Sequence, residues 1–119
     1  DLQDELIDRF GEYPDQVAYL IEIGLVKAYL DAAFAELVER KNDTIIVRFE
    51  KVSLKFFLTQ DYFEAISKTN LKARISDNQG KVEIIFDVRN KKDYEILEEL
   101  KIFGQTFMEI KKRKEKKET

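Results

Sequence analysis

Apolar residues at Leu2, Leu6, Ile7 and Phe10 have the spacing of a helix that buries one stripe. Gly11 and Pro14 then mark a stop and a start. Glycine takes the left-handed geometry of a helix C-terminus at no side-chain cost, and proline suits a first helical turn, where a missing N–H costs little. Asp15 and Gln16 lie close to the new N-terminus. The second helix is predicted over 14–33, where Val17, Leu20, Ile21, Leu25 and Ala28, flanked by Ile23, Val26 and Leu30, give an apolar belt wider than half the girth. Such a helix is expected to be central and covered from several sides. Gly24 inside it costs up to about 1 kcal/mol against Ala, and close approach of a neighbouring element is the expected compensation.

After residue 33 the period changes from 3.6 to 2. Segments 35–40 and 44–49 flank Lys41-Asn42-Asp43, and Ile45, Val47 and Phe49 alternate with more polar positions, which predicts a hairpin. A helix follows over 53–68, with a break near Thr59 where Thr-Gln-Asp can recap it. Leu71, Ala73 and Ile75 then alternate with Lys72 and Arg74, the turn formers Asp77-Asn78-Gln79-Gly80 follow, and Val82, Ile84, Phe86 and Val88 mark a return strand. The last helix, predicted over 92–112, carries Ile96, Leu100, Phe103, Phe107 and Ile110 at steps of 4, 3, 4 and 3. Acids near its start and lysines near its end suit the helix dipole. The order is two helices, a β-hairpin, a helix, a β-hairpin and a long C-terminal helix. That is an α+β fold whose antiparallel four-stranded sheet packs one face on helices.

Charge adds an asymmetry. The 119 residues hold 21 Lys and Arg against 24 Asp and Glu, a net −3, but the final KKRKEKKET alone carries six cations and two anions. Residues 1–110 hold 15 cations against 22 anions, so an acidic body of net −7 carries a basic tail. At this length one core is expected. Glu22 and Lys27 interrupt the longest apolar run, which rules out a membrane span there. The chain opens without Met inside a helical pattern, as a domain cut from a longer protein would.

The absence of Cys and His removes thiol nucleophiles, zinc sites of the cysteine type and the commonest acid/base residue near neutral pH. Four carboxylates, Asp4, Glu5, Asp8 and Glu12, lie close together and in principle suit a divalent cation or paired acid chemistry. They are all local, whereas such carboxylates normally converge from separate elements, so a solvated helix face explains them better. Gly11, Gly24, Gly80 and Gly104 are too far apart for a phosphate loop, and Ser53, Ser67 and Ser76 have no histidine to activate them. No catalytic, cofactor or metal residue is therefore expected in this chain.

Lys111, Lys112, Arg113, Lys114, Lys116 and Lys117 are candidates for a weak, salt-sensitive nucleic-acid contact, and a frayed, solubilising terminus is the favoured reading, since an acidic body would repel phosphates. Phe56, Phe57, Tyr62 and Phe63 lie so close in sequence that one helical face cannot bury all four; one or two are candidates for a partner surface, and packing in the core is the favoured reading. Self-association through the stripe from Ile96 to Ile110 is a third possibility.

The run formed by Asp4, Glu5, Leu6, Asp8, Arg9, Phe10, Gly11, Pro14, Val17 and Leu20, with Lys27 beyond it, resembles the start of the C-terminal domain of the bacterial transcription-repair coupling factors (Mfd). Beyond residue 30 the likeness lies in length, element order and closing helix. The resemblance implies a cytoplasmic, multidomain, ATP-driven DNA translocase that displaces stalled RNA polymerase at lesions and recruits UvrA of nucleotide-excision repair. ATP and Mg would belong to the motor. The C-terminal domain would be a regulatory clamp that packs on the N-terminal UvrB-like module of the same protein and masks its UvrA-binding surface. On that expectation residues 1–13 are a lead-in helix and joint from the preceding motor domain, 14–112 a single α+β regulatory domain, and 113–119 a basic, disordered tail.

Overall fold

A computed structural model describes residues 15–118. The expected first helix and the motif residues Asp4, Glu5, Leu6, Asp8, Arg9, Phe10, Gly11 and Pro14 lie outside the described residues, as does the side chain of Val17. The chain runs α1 (Asp15–Ala32), β1 (Ala35–Lys41), β2 (Thr44–Phe49), α2 (Ser53–Phe56), α3 (Thr59–Ser67), β3 (Lys72–Asn78), β4 (Lys81–Asp87) and α4 (Asp93–Glu118). From α1 onward the α+β order is the one read from the sequence, with the middle helix divided into α2 and α3.

Both hairpins close through two residues, and both turns need left-handed backbone. Asn42 has φ 52° in the first; Gln79 and Gly80 have φ 55° and 84° in the second, the pair of positive angles that matches strand twist. The turn formers from Asp77 onward act one residue later than expected, with the Asp77 carboxylate accepting the Gly80 N–H at 3.1 Å. The sheet order is β1-β2-β4-β3, all antiparallel, so the two hairpins join through their second strands. Ile45, Val47 and Phe49 of β2 and Ile84, Phe86 and Val88 at β4 are buried on one face. The opposite face stays open: registered rows Thr44, Asp87, Lys72 and Ile46, Ile85, Arg74 run across β2, β4 and β3.

The helix at the centre is α4, contrary to the expectation for 14–33. Ile96, Leu100, Phe103, Phe107 and Ile110 are all buried, and α4 packs on the sheet through Phe103 and Phe107 while α1 and α3 lean on it from other directions. Among the described side chains of α1, Val26 and Leu30 are buried, while Leu20 is 66% exposed and Lys27 is exposed. A belt of apolar residues shows what can be covered and not what is. The same correction applies to Gly24, where a Cβ would meet nothing within 4 Å among the described residues. The close approach is at Gly104, where an added Cβ would lie 2.6 Å from the Tyr29 Cβ.

The break expected near Thr59 in the helix over 53–68 is observed at Phe57 and Leu58, where the Asp61 carboxylate accepts the Leu58 N–H at 2.8 Å and restarts the chain as α3. One further boundary differs. The last helix does not end near Lys112 but continues to Glu118, so the tail from Arg113 is helical through Glu118. Its contacts, described below, supply the reason.

On the open face the Glu83 carboxylate receives Arg48 Nε at 2.9 Å and Asn78 Nδ2 at 3.0 Å. These bonds, Asn78 first and Arg48 second, hold its carboxyl below the ordinary 4.5. A depressed folded value means stability present above the unfolded pKa and lost as pH falls through the folded one. Glu83→Gln is accordingly expected to flatten the acid limb of the stability curve below about pH 4.5 without changing its neutral slope, measured by urea titration at successive pH values. An acid limb identical to the parent's would exclude Glu83 as a contributor.

Candidate interaction surface

The four crowded aromatics separate by the geometry of the α2–α3 corner. Phe57 and Tyr62 are buried, and the Tyr62 hydroxyl lies 2.6 Å from the buried Ser53 Oγ. Burial pushes the Tyr62 phenol above its ordinary range; the Ser53 bond opposes the rise and Asp61 adds to it. Phe56 and Phe63 point out, 46% and 56% exposed, as do Leu54 and Leu58 at 45% and 57%. Four of the seven large exposed hydrophobics among the described residues therefore fall within ten positions. Proteins rarely leave such patches open without a contact to make.

The corner is fastened by the tail. Lys114 Nζ lies 2.5 Å from the Asp61 carboxylate, which is nearly buried, and donates to the Phe56 carbonyl at 3.2 Å. Arg113 grips Glu64 with both terminal guanidinium nitrogens, Nη2 at 2.9 Å and Nη1 at 3.3 Å. Those bonds hold the Glu64 carboxyl below its ordinary range. Lys111 Nζ stands 5.3 Å from the centre of the Phe34 ring, and that ring stacks on Phe56 at 4.9 Å. Phe34 itself has φ 69°, a left-handed geometry that a bulky residue tolerates only when its surroundings hold it, here at the end of α1. A cleft of about 630 Å³ opens between Lys55, Phe56, Leu58 and Gln60 on one side and Lys111 and Lys114 on the other.

The six cations proposed for nucleic acid are thus divided. Lys111, Arg113 and Lys114 are engaged by the protein's own aromatic rings, carbonyl and carboxylates; Lys112 lies exposed, and the Lys117 side chain lies outside the described residues. The structure does not gather the described motif residues Leu20 and Lys27 into this surface. Sequence reasoning missed Leu54 and Leu58; the signal was available in their proximity to the crowded aromatics. Among the described residues no group of three or more acidic side chains is placed to hold a metal ion, and no helix is long and apolar enough to cross a membrane.

A family model described as "TRCF domain" matches residues 1–55. The chain is 42% identical over 45 residues to the transcription-repair-coupling factor of Bacillus subtilis (strain 168). That match covers 38% of this chain and 4% of that protein's length. The crystal structure of the C-terminal domain of a transcription-repair coupling factor superposes with a TM-score of 0.90 at 65% identity, over 95% of this chain and 70% of the other.

Proposed function

The chain belongs to the transcription-repair coupling factor family, as its C-terminal domain, and from that premise we propose that it is a non-catalytic regulatory domain that masks a UvrA-binding surface. It rests on the N-terminal UvrB-like module of the same protein until the motor engages stalled RNA polymerase. The parent is then a cytoplasmic ATP-dependent DNA translocase, with ATP and Mg confined to the motor. The observation that carries the reading is a surface built for contact: exposed Leu54, Phe56, Leu58 and Phe63 on one fastened corner, rimmed by charge. Interdomain faces within a chain have this mixed, moderately apolar character and can open.

The test is UvrA binding by the full-length parent, with and without these 119 residues, at matched salt. A mask closed about ten to one corresponds to about 1.4 kcal/mol, so the truncated protein is expected to bind UvrA about tenfold more tightly. Equal binding would remove masking of UvrA as the role.

A further inference from the structure

The open face of the sheet carries a second surface, distinct from the α2–α3 corner. Two adjoining clefts of about 320 and 270 Å³ share Lys72, Asp87 and Arg89; the first extends to Arg74, the second to Lys91. We propose that this cationic strip, formed by Lys72, Arg74, Arg89 and Lys91, binds the phosphate backbone of a nucleic-acid duplex.

Three observations support the assignment. First, these cations are largely uncommitted. Of the five arginines among the described residues, Arg40, Arg48 and Arg113 face carboxylates at 2.9 Å and Arg89 faces Asp43 at 3.9 Å, whereas Arg74 has no ion pair. Lys72 and Lys91 also lack one among the described residues; Asp87, which lines both clefts, accepts the Arg89 backbone N–H at 3.0 Å and keeps its charge, so four cations face one acid there. Second, Lys72 and Arg74 stand two apart on one strand and so project from the same face about 6.6 to 6.8 Å apart. That spacing equals about two nucleotide rises along the axis of a duplex, within reach of neighbouring phosphates for side chains of this length.

Third, the chemistry of the strip selects among anionic partners. None of the seven large exposed hydrophobics, four of them on the α2–α3 corner, lines either cleft; the apolar lining is the half-buried Ile85 with Ala73 in the first and the buried Leu71 in the second. A protein partner would seek an apolar centre, as that corner provides, while a phosphate backbone asks only for cations and polar groups. The acidic body opposes binding, but its more distant charges are screened beyond about 10 Å at 0.1 M salt. Binding is therefore weak, confined to low salt and independent of the masking role.

The test is fluorescence anisotropy of the full chain with a labelled DNA duplex of about 20 base pairs and arbitrary sequence. Four phosphate contacts predict a slope of about −3.6 in log K against log salt, a loss of about a hundredfold between about 50 and about 200 mM. Lys72→Ala combined with Arg74→Ala is expected to reduce the slope to about −1.8, so that the loss becomes about tenfold. Lys112→Ala with Lys116→Ala should leave the slope at the parent value. The proposal is overturned by no binding at low salt, by an unchanged slope in the Lys72/Arg74 variant, or by a slope that falls with the tail variant instead. Equal competition by polyglutamate would assign the strip to acidic protein, and capture by phosphatidylglycerol vesicles without duplex binding would assign it to lipid; either result overturns it.

Discussion

Phe107→Ala is expected to destabilise the domain by about 3 to 5 kcal/mol, the cost of truncating a fully buried aromatic. Phe107 has no exposed surface, and its ring meets Phe49 of the sheet at 5.4 Å, Phe57 at 5.1 Å, Tyr62 at 5.7 Å and Phe103 at 5.0 Å. Several of these contacts are edge-to-face, which adds a favourable quadrupole interaction to the burial itself. One side chain on α4 thereby joins the sheet to the α2–α3 corner, and collapse around the cavity cannot satisfy both. Urea unfolding would measure the loss. A change below about 1 kcal/mol would mean that the aromatic cluster is not the centre of the core.

The second large effect is a sign difference between two glycines. Gly104→Ala is expected to cost about 1 to 3 kcal/mol, because its Cβ would fall 2.6 Å from the Tyr29 Cβ and 3.5 Å from Cγ. The Tyr29 Cβ is attached directly to the backbone of α1, so relief requires the two helices to separate. Gly24→Ala, with open space around it among the described residues, is expected to stabilise by up to about 1 kcal/mol through helix propensity alone. Paired melting curves for the two variants check this. Shifts in the same direction would mean that close packing at Gly104 is not what distinguishes them.

These glycines also show where the sequence stops being informative. Both lie inside helical patterns, and only the folded arrangement tells which one faces a neighbour. The hairpins were legible because alternation at Ile45, Val47 and Phe49 and at Ile84 and Phe86 is a local signal that a registered sheet must respect. The stripe from Ile96 to Ile110 was legible for the same reason. For the crowded aromatics, core packing is the favoured reading from sequence and holds for Phe57 and Tyr62, whereas Phe56 and Phe63 face outward, the alternative that steric exclusion left open. The helical tail was not legible, since the carboxylates that hold Arg113 and Lys114 lie 49 and 53 positions earlier in the chain. A charge run read without its distant partners looks like a solvated end. The same blindness hid the cationic strip, whose members come from β3 and from the segment after β4.

The ties from α4 to Asp61 and Glu64 have a consequence for the order in which the molecule is made. Each closes a chain loop of about 50 residues, and closing such a loop costs about 3 to 4 kcal/mol of chain entropy. Synthesis delivers α2 and α3 well before the residues that fasten them. The apolar corner is therefore fastened only once Arg113 and Lys114 have been translated.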